Sequence, residues 1–143
     1  MDDWYWIVSE TGLVLDVAGR GKQPGTPVTL YTLNNENNPF NQLWKIDCQY
    51  IVSKQTGFVL TLSNCPIRDP TFVIKPKDLN DKGQRWTYDS TNFTLTCGLP
   101  FYVATVLDAV IGDPKALGVK HLGNQVPKEQ KWIFVKCSGF EYK

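Results

Sequence analysis

The triplet Gln-x-Trp occurs three times in this chain of 143 residues, and its spacing defines a repeat. The copies are Gln42-Leu43-Trp44, Gln84-Arg85-Trp86 and Gln130-Lys131-Trp132, so successive tryptophans lie 42 and 46 positions apart. Self-similarity at a nearly fixed period indicates a structural unit that is repeated along the chain. The sequence therefore predicts three units of about 45 residues, near 4–47, 48–92 and 93–137, within a single domain spanning 1–143.

The segments between the triplets repeat as well, and they have the pattern of short β-strands. The run WIVSETGLVLDV at 6–17 aligns with YIVSKQTGFVLTL at 50–62, with one residue inserted in the second copy, and 101–106 is a weaker third copy. The runs hold four to seven residues, mostly β-branched or aromatic, and Gly, Pro and Asn separate them. No window shows a helical period. We predict an all-β fold of twelve short strands, four in each repeat.

Charge and hydrophobicity exclude several classes of partner. The chain carries 15 Lys and Arg against 14 Asp and Glu, so its formal net charge is +1. This balance argues against a nucleic acid as partner. The longest uncharged stretch, 90–107, is interrupted by polar residues, Gly and Pro, which argues against membrane insertion. The start at Met1–Trp4 lacks the basic and apolar regions of a signal peptide, so we expect a cytoplasmic or non-classically secreted protein.

The Gln-x-Trp triplets have a structural explanation. Residues two apart on a strand face the same side, so the Gln and the Trp of each triplet can both point inward. A buried Trp supplies a large apolar surface and needs one acceptor for its indole N–H, while a Gln amide can satisfy backbone groups beside a loop. We therefore expect Trp44, Trp86 and Trp132 to mark three equivalent positions in the core.

The three triplets and the strands before them resemble the ricin B-type (R-type) lectin family over nearly the whole chain. The resemblance implies a β-trefoil and a lectin that binds galactose or N-acetylgalactosamine-type glycans without a cofactor, a metal or catalysis. In that family a repeat can hold one shallow pocket. An acidic residue after the second strand accepts sugar hydroxyls, and an aromatic residue ending the third strand stacks on the ring. An Asn donates from just before the Gln, which itself steadies the acid.

The first repeat contains every group that the resemblance requires. The predicted sugar-binding residues are Asp16 as the acid, Tyr31 as the stacking ring, and Asn41 and Gln42 as the amides. The loop 19–22, beginning at Gly19, is expected to form one lip of the pocket, and Asn34 reaches the other. A carboxylate is a strong acceptor for neighbouring hydroxyls, and an aromatic face suits the C–H patch of galactose. The expected partners are glycans of glycoproteins or glycolipids. One shallow pocket predicts weak affinity, roughly 0.1–1 mM, so a homodimer is a corollary through avidity.

The second repeat lacks these groups, because Thr61 stands at the acid position, Lys75 at the aromatic position and Gly83 before the Gln. We predict that its pocket is lost.

The third repeat is ambiguous. The preferred register places Ala104 at the acid position, Lys120 at the aromatic position and Glu129 before the Gln, which predicts a second lost pocket. A shift of four residues would instead bring Asp108 into use with His121 as a stacking partner, a weaker candidate site.

A protein-binding trefoil, such as a protease inhibitor, is the main alternative, and it would act through the loop 65–70 or the loop 112–114. An enzyme is not expected, because His121 is the only histidine and no serine has the surroundings of a nucleophile.

Four cysteines permit two disulfides in three connectivities, but free buried thiols are the simpler interpretation; they are Cys48, Cys65, Cys97 and Cys137.

Overall fold

A computed structural model describes residues 3–35, 38–63, 70–98, 102–107 and 116–137. In these residues the chain forms twelve strands and four 3₁₀ turns, as the all-β prediction requires. The strands are β1 (Tyr5–Ser9), β2 (Val14–Val17), β3 (Val28–Tyr31), β4 (Trp44–Asp47), β5 (Tyr50–Ser53), β6 (Val59–Ser63), β7 (Thr71–Lys75), β8 (Trp86–Asp89), β9 (Thr94–Cys97), β10 (Tyr102–Leu107), β11 (Ala116–His121) and β12 (Trp132–Lys136). Among the described residues, no helix has the length and apolar character needed to cross a membrane.

The first and fourth strands of the repeats pair with one another around the molecule. β4 pairs antiparallel with β5, β8 with β9, and β12 returns to pair with β1 from Tyr5 opposite Lys136 to Ser9 opposite Trp132. Each tryptophan strand also contacts the beginning of its own repeat at one point, on the first strand or directly before it. Trp44 pairs with Tyr5 of β1. The backbone N–H groups of Trp86 and Trp132 donate, each at 2.8 Å, to the carbonyls of Gln49 and Phe93, which directly precede β5 and β9. The same link is thus made three times, which gives the fold its approximate three-fold symmetry.

The second and third strands of each repeat form antiparallel hairpins with matching registers. Opposite pairs are Asp16 with Thr29, Thr61 with Val73 and Thr105 with Gly118. The hairpins also meet each other, because β3, β7 and β11 are mutually in contact. Twelve strands with this arrangement form a β-trefoil.

The three repeat tryptophans lie in one hydrophobic core. Trp44, Trp86 and Trp132 are at most 3% exposed. Each indole N–H donates to a backbone carbonyl of the second strand in its own repeat, at 3.2, 3.0 and 2.9 Å; the acceptors are Leu15, Leu60 and Ala104. The sequence prediction that each buried indole would find an acceptor is confirmed.

The three glutamines are buried too, but they do not lie on the strands. Each ends a 3₁₀ turn, Phe40–Gln42, Lys82–Gln84 or Lys128–Gln130, and the tryptophan two positions later begins the next strand. The side chains still face inward, because the turn directs the Gln towards the hairpin of the same repeat, where its amide nitrogen donates to a backbone carbonyl.

The cysteines differ in exposure. Cys97 is buried, and its thiol donates to the carbonyl oxygen of Lys82 at 3.6 Å. Cys48 is free but exposed, so the expectation of a buried thiol is wrong there. It follows the end of β4 in a tight turn, where its left-handed φ of 57° turns the chain into β5. Cys65 lies outside the described residues.

Candidate functional site

The first repeat contains a surface pocket of about 420 Å³, called here the first-repeat pocket. Its lining residues are Asp16, Ala18, Gly19, Arg20, Thr29, Tyr31 and Asn41. Four of the six residues predicted from the sequence therefore line one cavity. The other two lie differently: Gln42 contacts Asp16 from within the fold, and Asn34 is not among the lining residues.

Asp16 is the buried acid of this pocket. It lies on β2 and is only 7% exposed, and its Oδ2 accepts a hydrogen bond from Gln42 Nε2 at 2.8 Å. Burial raises the pKa of Asp16 above its ordinary value of 3.8, while hydrogen bonds from Gln42 and Asn41 and the charge of Arg20 oppose that rise. An ionised carboxylate offers about four acceptor sites, so two amide donors leave acceptor capacity for hydroxyl groups of a ligand.

Gln42 is buried and fixes the Asp16 carboxylate from the interior side of the pocket. Its Nε2 donates both to Asp16 and to the carbonyl oxygen of Thr32, at 2.8 and 2.9 Å. Its Oε1 accepts the backbone N–H of Asn34 at 2.8 Å. These three bonds fix the orientation of the amide, so Gln42 makes the contact that the resemblance implied. Asn34 takes part through its backbone, which differs from the expectation that it forms a lip.

Tyr31 provides an exposed aromatic ring at the pocket. It is the last residue of β3, it pairs with Val14, and it is 64% exposed. Thr29 precedes it by two residues and therefore faces the same side of the strand. The pocket thus combines a buried acceptor with an exposed apolar face.

Arg20 belongs to the loop 19–22 that was expected to form one lip of the pocket, but no role was predicted for its side chain. Its Nη1 donates to Asn41 Oδ1 at 2.9 Å. Gly19 and Arg20 both have left-handed backbone, with φ of 59° and 56°, which bends the chain back over the pocket. The sequence signal was only a basic residue in a glycine-rich loop, and such loops are common.

The second repeat has the same frame as the first, meaning the hairpin, the 3₁₀ turn and the contacts of the Gln-x-Trp triplet, but it lacks the groups predicted to bind sugar. Thr61 Oγ1 donates to the Val59 carbonyl at 3.0 Å, so the hydroxyl finds its hydrogen-bond acceptor within its own strand. Lys75 pairs with Val59 as Tyr31 pairs with Val14. A Cβ atom at Gly83 would collide with the carbonyl oxygen of Leu62, so an asparagine does not fit before the Gln of this repeat.

The third repeat corrects the predicted register by one residue. The acceptor of the Trp132 indole is Ala104, which is the counterpart of Leu15, so Thr105 and not Ala104 occupies the acid position. Thr105 Oγ1 donates to the Val103 carbonyl at 2.9 Å, as Thr61 does to Val59. The assignment failed because this repeat lacks the Gly-x-Val-Leu run that aligns the other two. Lys120 does occupy the aromatic position, opposite Val103.

The weaker third-repeat candidate is only partly described. His121 is exposed at the end of β11, and its ring packs edge-on against Tyr102 with centroids 4.8 Å apart. Asp108 lies outside the described residues, as does most of the two loops considered for a protease inhibitor, 65–70 and 112–114. Within the part of the chain that the structure covers, no group of three His, Cys, Asp or Glu side chains is arranged to hold a metal ion.

Solved structures share this fold over most of the chain. An earthworm lectin C-terminal domain mutant in complex with 6′-sialyllactose matches with a TM-score of 0.79 and 23% identity, covering 94% of this chain and 99% of that one. The C-half of the earthworm R-type lectin in complex with GalNAc matches with a TM-score of 0.77 and 22% identity, over the same shares. The designed three-fold symmetric protein ThreeFoil matches with a TM-score of 0.72 and 20% identity, covering 92% and 97%.

No protein-family model matches the chain, and no curated protein matches it by sequence. At these identities the structural likeness establishes the β-trefoil fold. The R-type lectin among the matching structures agrees with the resemblance seen in the sequence.

Proposed function

We propose that the chain is a carbohydrate-binding lectin that recognises galactose or N-acetylgalactosamine-type glycans through the first-repeat pocket. The observation that carries the proposal is the meeting of Asp16, Asn41 and Tyr31 in that one cavity. A buried carboxylate accepts from a sugar hydroxyl, a neighbouring amide donates to an adjacent hydroxyl, and an exposed ring covers the apolar face of the sugar.

The internal comparison between repeats supports the proposal. At the positions of Asp16 and Tyr31 the second repeat has Thr61 and Lys75. A purely structural role would be served by those residues, since the threonine needs no partner outside its own strand. Burying a carboxylate costs free energy of folding, even when two amides donate to it. A ligand that binds this carboxylate would explain why the first repeat has an acid here.

The glycan complexes of the earthworm lectin, with 6′-sialyllactose and GalNAc, support a sugar as the ligand class. The expected partners are glycans of glycoproteins or glycolipids, and binding needs no catalytic step. A homodimer would supply avidity to a single weak site.

The test compares the wild type with Asp16→Ala on a glycan array, followed by a lactose titration. Loss of a hydrogen bond to a charged group is worth about 1.5–3 kcal/mol, so we expect binding to weaken by about 10- to 100-fold. Thr61→Ala is the matched control at the equivalent position of the second repeat, and it should bind like the wild type. A lactose affinity that is unchanged in Asp16→Ala refutes the site, and a wild type that binds no glycan refutes the lectin.

A further inference from the structure

The second repeat carries one residue more than the first in the turn between its first two strands. The first turn reads Ser-Glu-Thr-Gly at 9–12, and the second reads Ser-Lys-Gln-Thr-Gly at 53–57. Both end on a glycine with left-handed backbone, Gly12 at 89° and Gly57 at 78°. In both, that glycine donates its N–H to the carbonyl of the first serine, at 3.0 and 2.8 Å. The longer turn therefore closes in the same way, and the Gln55 side chain is not needed to close it.

Gln55 instead reaches into the first repeat. Its Nε2 donates to the carbonyl oxygen of Arg20 at 2.8 Å and to that of Gly21 at 3.3 Å. These acceptors lie 35 and 34 positions away in sequence. They belong to the segment that bends over the first-repeat pocket, so a residue of the second repeat holds the lip of that pocket.

The held segment is one that needs support. Arg20 has a φ of 56°, a left-handed conformation that side chains other than glycine adopt infrequently. The side chain of Arg20 lines the pocket and donates to Asn41 Oδ1. Because this bond occupies the carbonyl end of the amide, the Nδ2 end of Asn41 remains as the donor for Asp16 and for a ligand hydroxyl.

We propose that Gln55 and Arg20 are positioning residues for the first-repeat pocket: Gln55 fixes the backbone of Arg20, and Arg20 fixes the orientation of the Asn41 amide. This inference rests on the proposed sugar-binding function and adds a relay from the second repeat to the binding groups of the first. The pocket is accordingly built by two repeats, although only one of them supplies the groups expected to touch sugar.

The experiment is a lactose titration followed by NMR on the wild type, Gln55→Leu, Arg20→Met, the double variant and Arg20→Lys. We expect Arg20→Met to weaken binding about 10-fold, the order of one lost hydrogen bond, and Gln55→Leu about 3-fold. Because the two residues act in series, the double variant should bind about as Arg20→Met does, and not about 30-fold more weakly than the wild type. Arg20→Lys keeps one donor and should restore binding to within about 3-fold. Full additivity, or equal loss in Arg20→Lys and Arg20→Met, overturns the relay.

Gln49→Leu is the matched control, because the Gln49 amide donates to Thr87 Oγ1 and lies outside the pocket lining. It should bind lactose like the wild type. A readout without sugar separates this inference from the proposed function. In the ligand-free protein, Gln55→Leu and Arg20→Met should shift the Asn41 side-chain amide resonances, whereas Gln49→Leu should not. Unshifted resonances overturn the relay even if sugar binds, and shifted resonances support it even if lactose proves to be the wrong sugar.

Discussion

The first and second repeats share a frame and differ in what they place on it. In both, the repeat Trp donates to the second strand, and the repeat Gln joins the 3₁₀ turn to the hairpin. They differ at three equivalent positions: the first repeat has Asp16, Tyr31 and Asn41, and the second has Thr61, Lys75 and Gly83. The difference teaches that the Gln-x-Trp contacts recur in both repeats, while the residues at these three positions vary independently of them.

The acid position shows how the repeats differ in the hydrogen bonding that a buried side chain requires. Thr61 and Thr105 each bond to the carbonyl two residues earlier, so neither requires anything from the rest of the fold. Asp16 needs two amides and the charge of Arg20, and its pKa is still raised by burial. The first repeat therefore buries a titratable group where the other two repeats bury a threonine.

The third repeat differs from both in the completeness of its frame. Its Gln130 Nε2 donates to the His121 carbonyl at 3.4 Å, a longer bond than the 2.9 Å of its two counterparts. Among the residues that the structure describes, none donates to the buried Oε1 of Gln130, whereas Gln42 and Gln84 each accept a backbone N–H. The frame is thus better satisfied in the first two repeats.

The shared frame predicts the largest effect. Trp86 is 3% exposed, stacks on Phe72 with centroids 5.6 Å apart and donates to Leu60. Trp86→Ala should lower the free energy of unfolding by about 3–5 kcal/mol, because it leaves a cavity and an unpaired carbonyl. Trp44→Ala should cost a similar amount, as measured by urea denaturation. A loss below about 1 kcal/mol in either variant would contradict an equivalent structural role for the triplets.

The aromatic position predicts an intermediate effect, and it concerns binding alone. Tyr31→Ala should weaken lactose binding about 3- to 10-fold, since an aromatic contact of this kind is worth about 0.5–1.5 kcal/mol. Tyr31 is largely exposed, so the free energy of unfolding should change by less than about 0.5 kcal/mol. Lys75→Ala at the equivalent position is the control and should leave binding unchanged. If both variants bind equally well, the ring has no part in recognition.

The acid position predicts the smallest effect, in stability as a function of pH. The pKa of Asp16 is raised in the folded state, so the buried carboxylate destabilises the fold above that pKa and has no such cost below about pH 3.8. Asp16→Asn does not titrate and can still accept from Gln42. Thermal melts should show it at least as stable as the wild type at pH 7, with the difference vanishing near pH 3. A variant that is clearly less stable at pH 7 would show that the charge supports the fold.

Much of this architecture was predictable, because core positions obey short-range rules. The Gln-x-Trp spacing predicted three repeats, and the short β-branched and aromatic runs between the triplets predicted the strands. The third-repeat register was missed by one residue at Ala104, since only the tertiary contact with the Trp132 indole identifies the equivalent carbonyl. The loop 19–22 was predicted to form a lip, but the bond from Arg20 to Asn41 and the contact of Gln55 with Arg20 were missed for a related reason: contacts across 21 and 35 positions leave no local signal.

The central claim is that one repeat of the three carries the sugar site, and the most direct measurement is the stoichiometry of sugar binding with the location of each site. A lactose titration followed by NMR should fit one site per chain. The shifted resonances should centre on Asp16, Tyr31 and Asn41, while those of Thr61 and Thr105 stay in place. Two or three sugars per chain, or shifts centred on Thr61 or Thr105, would contradict the account.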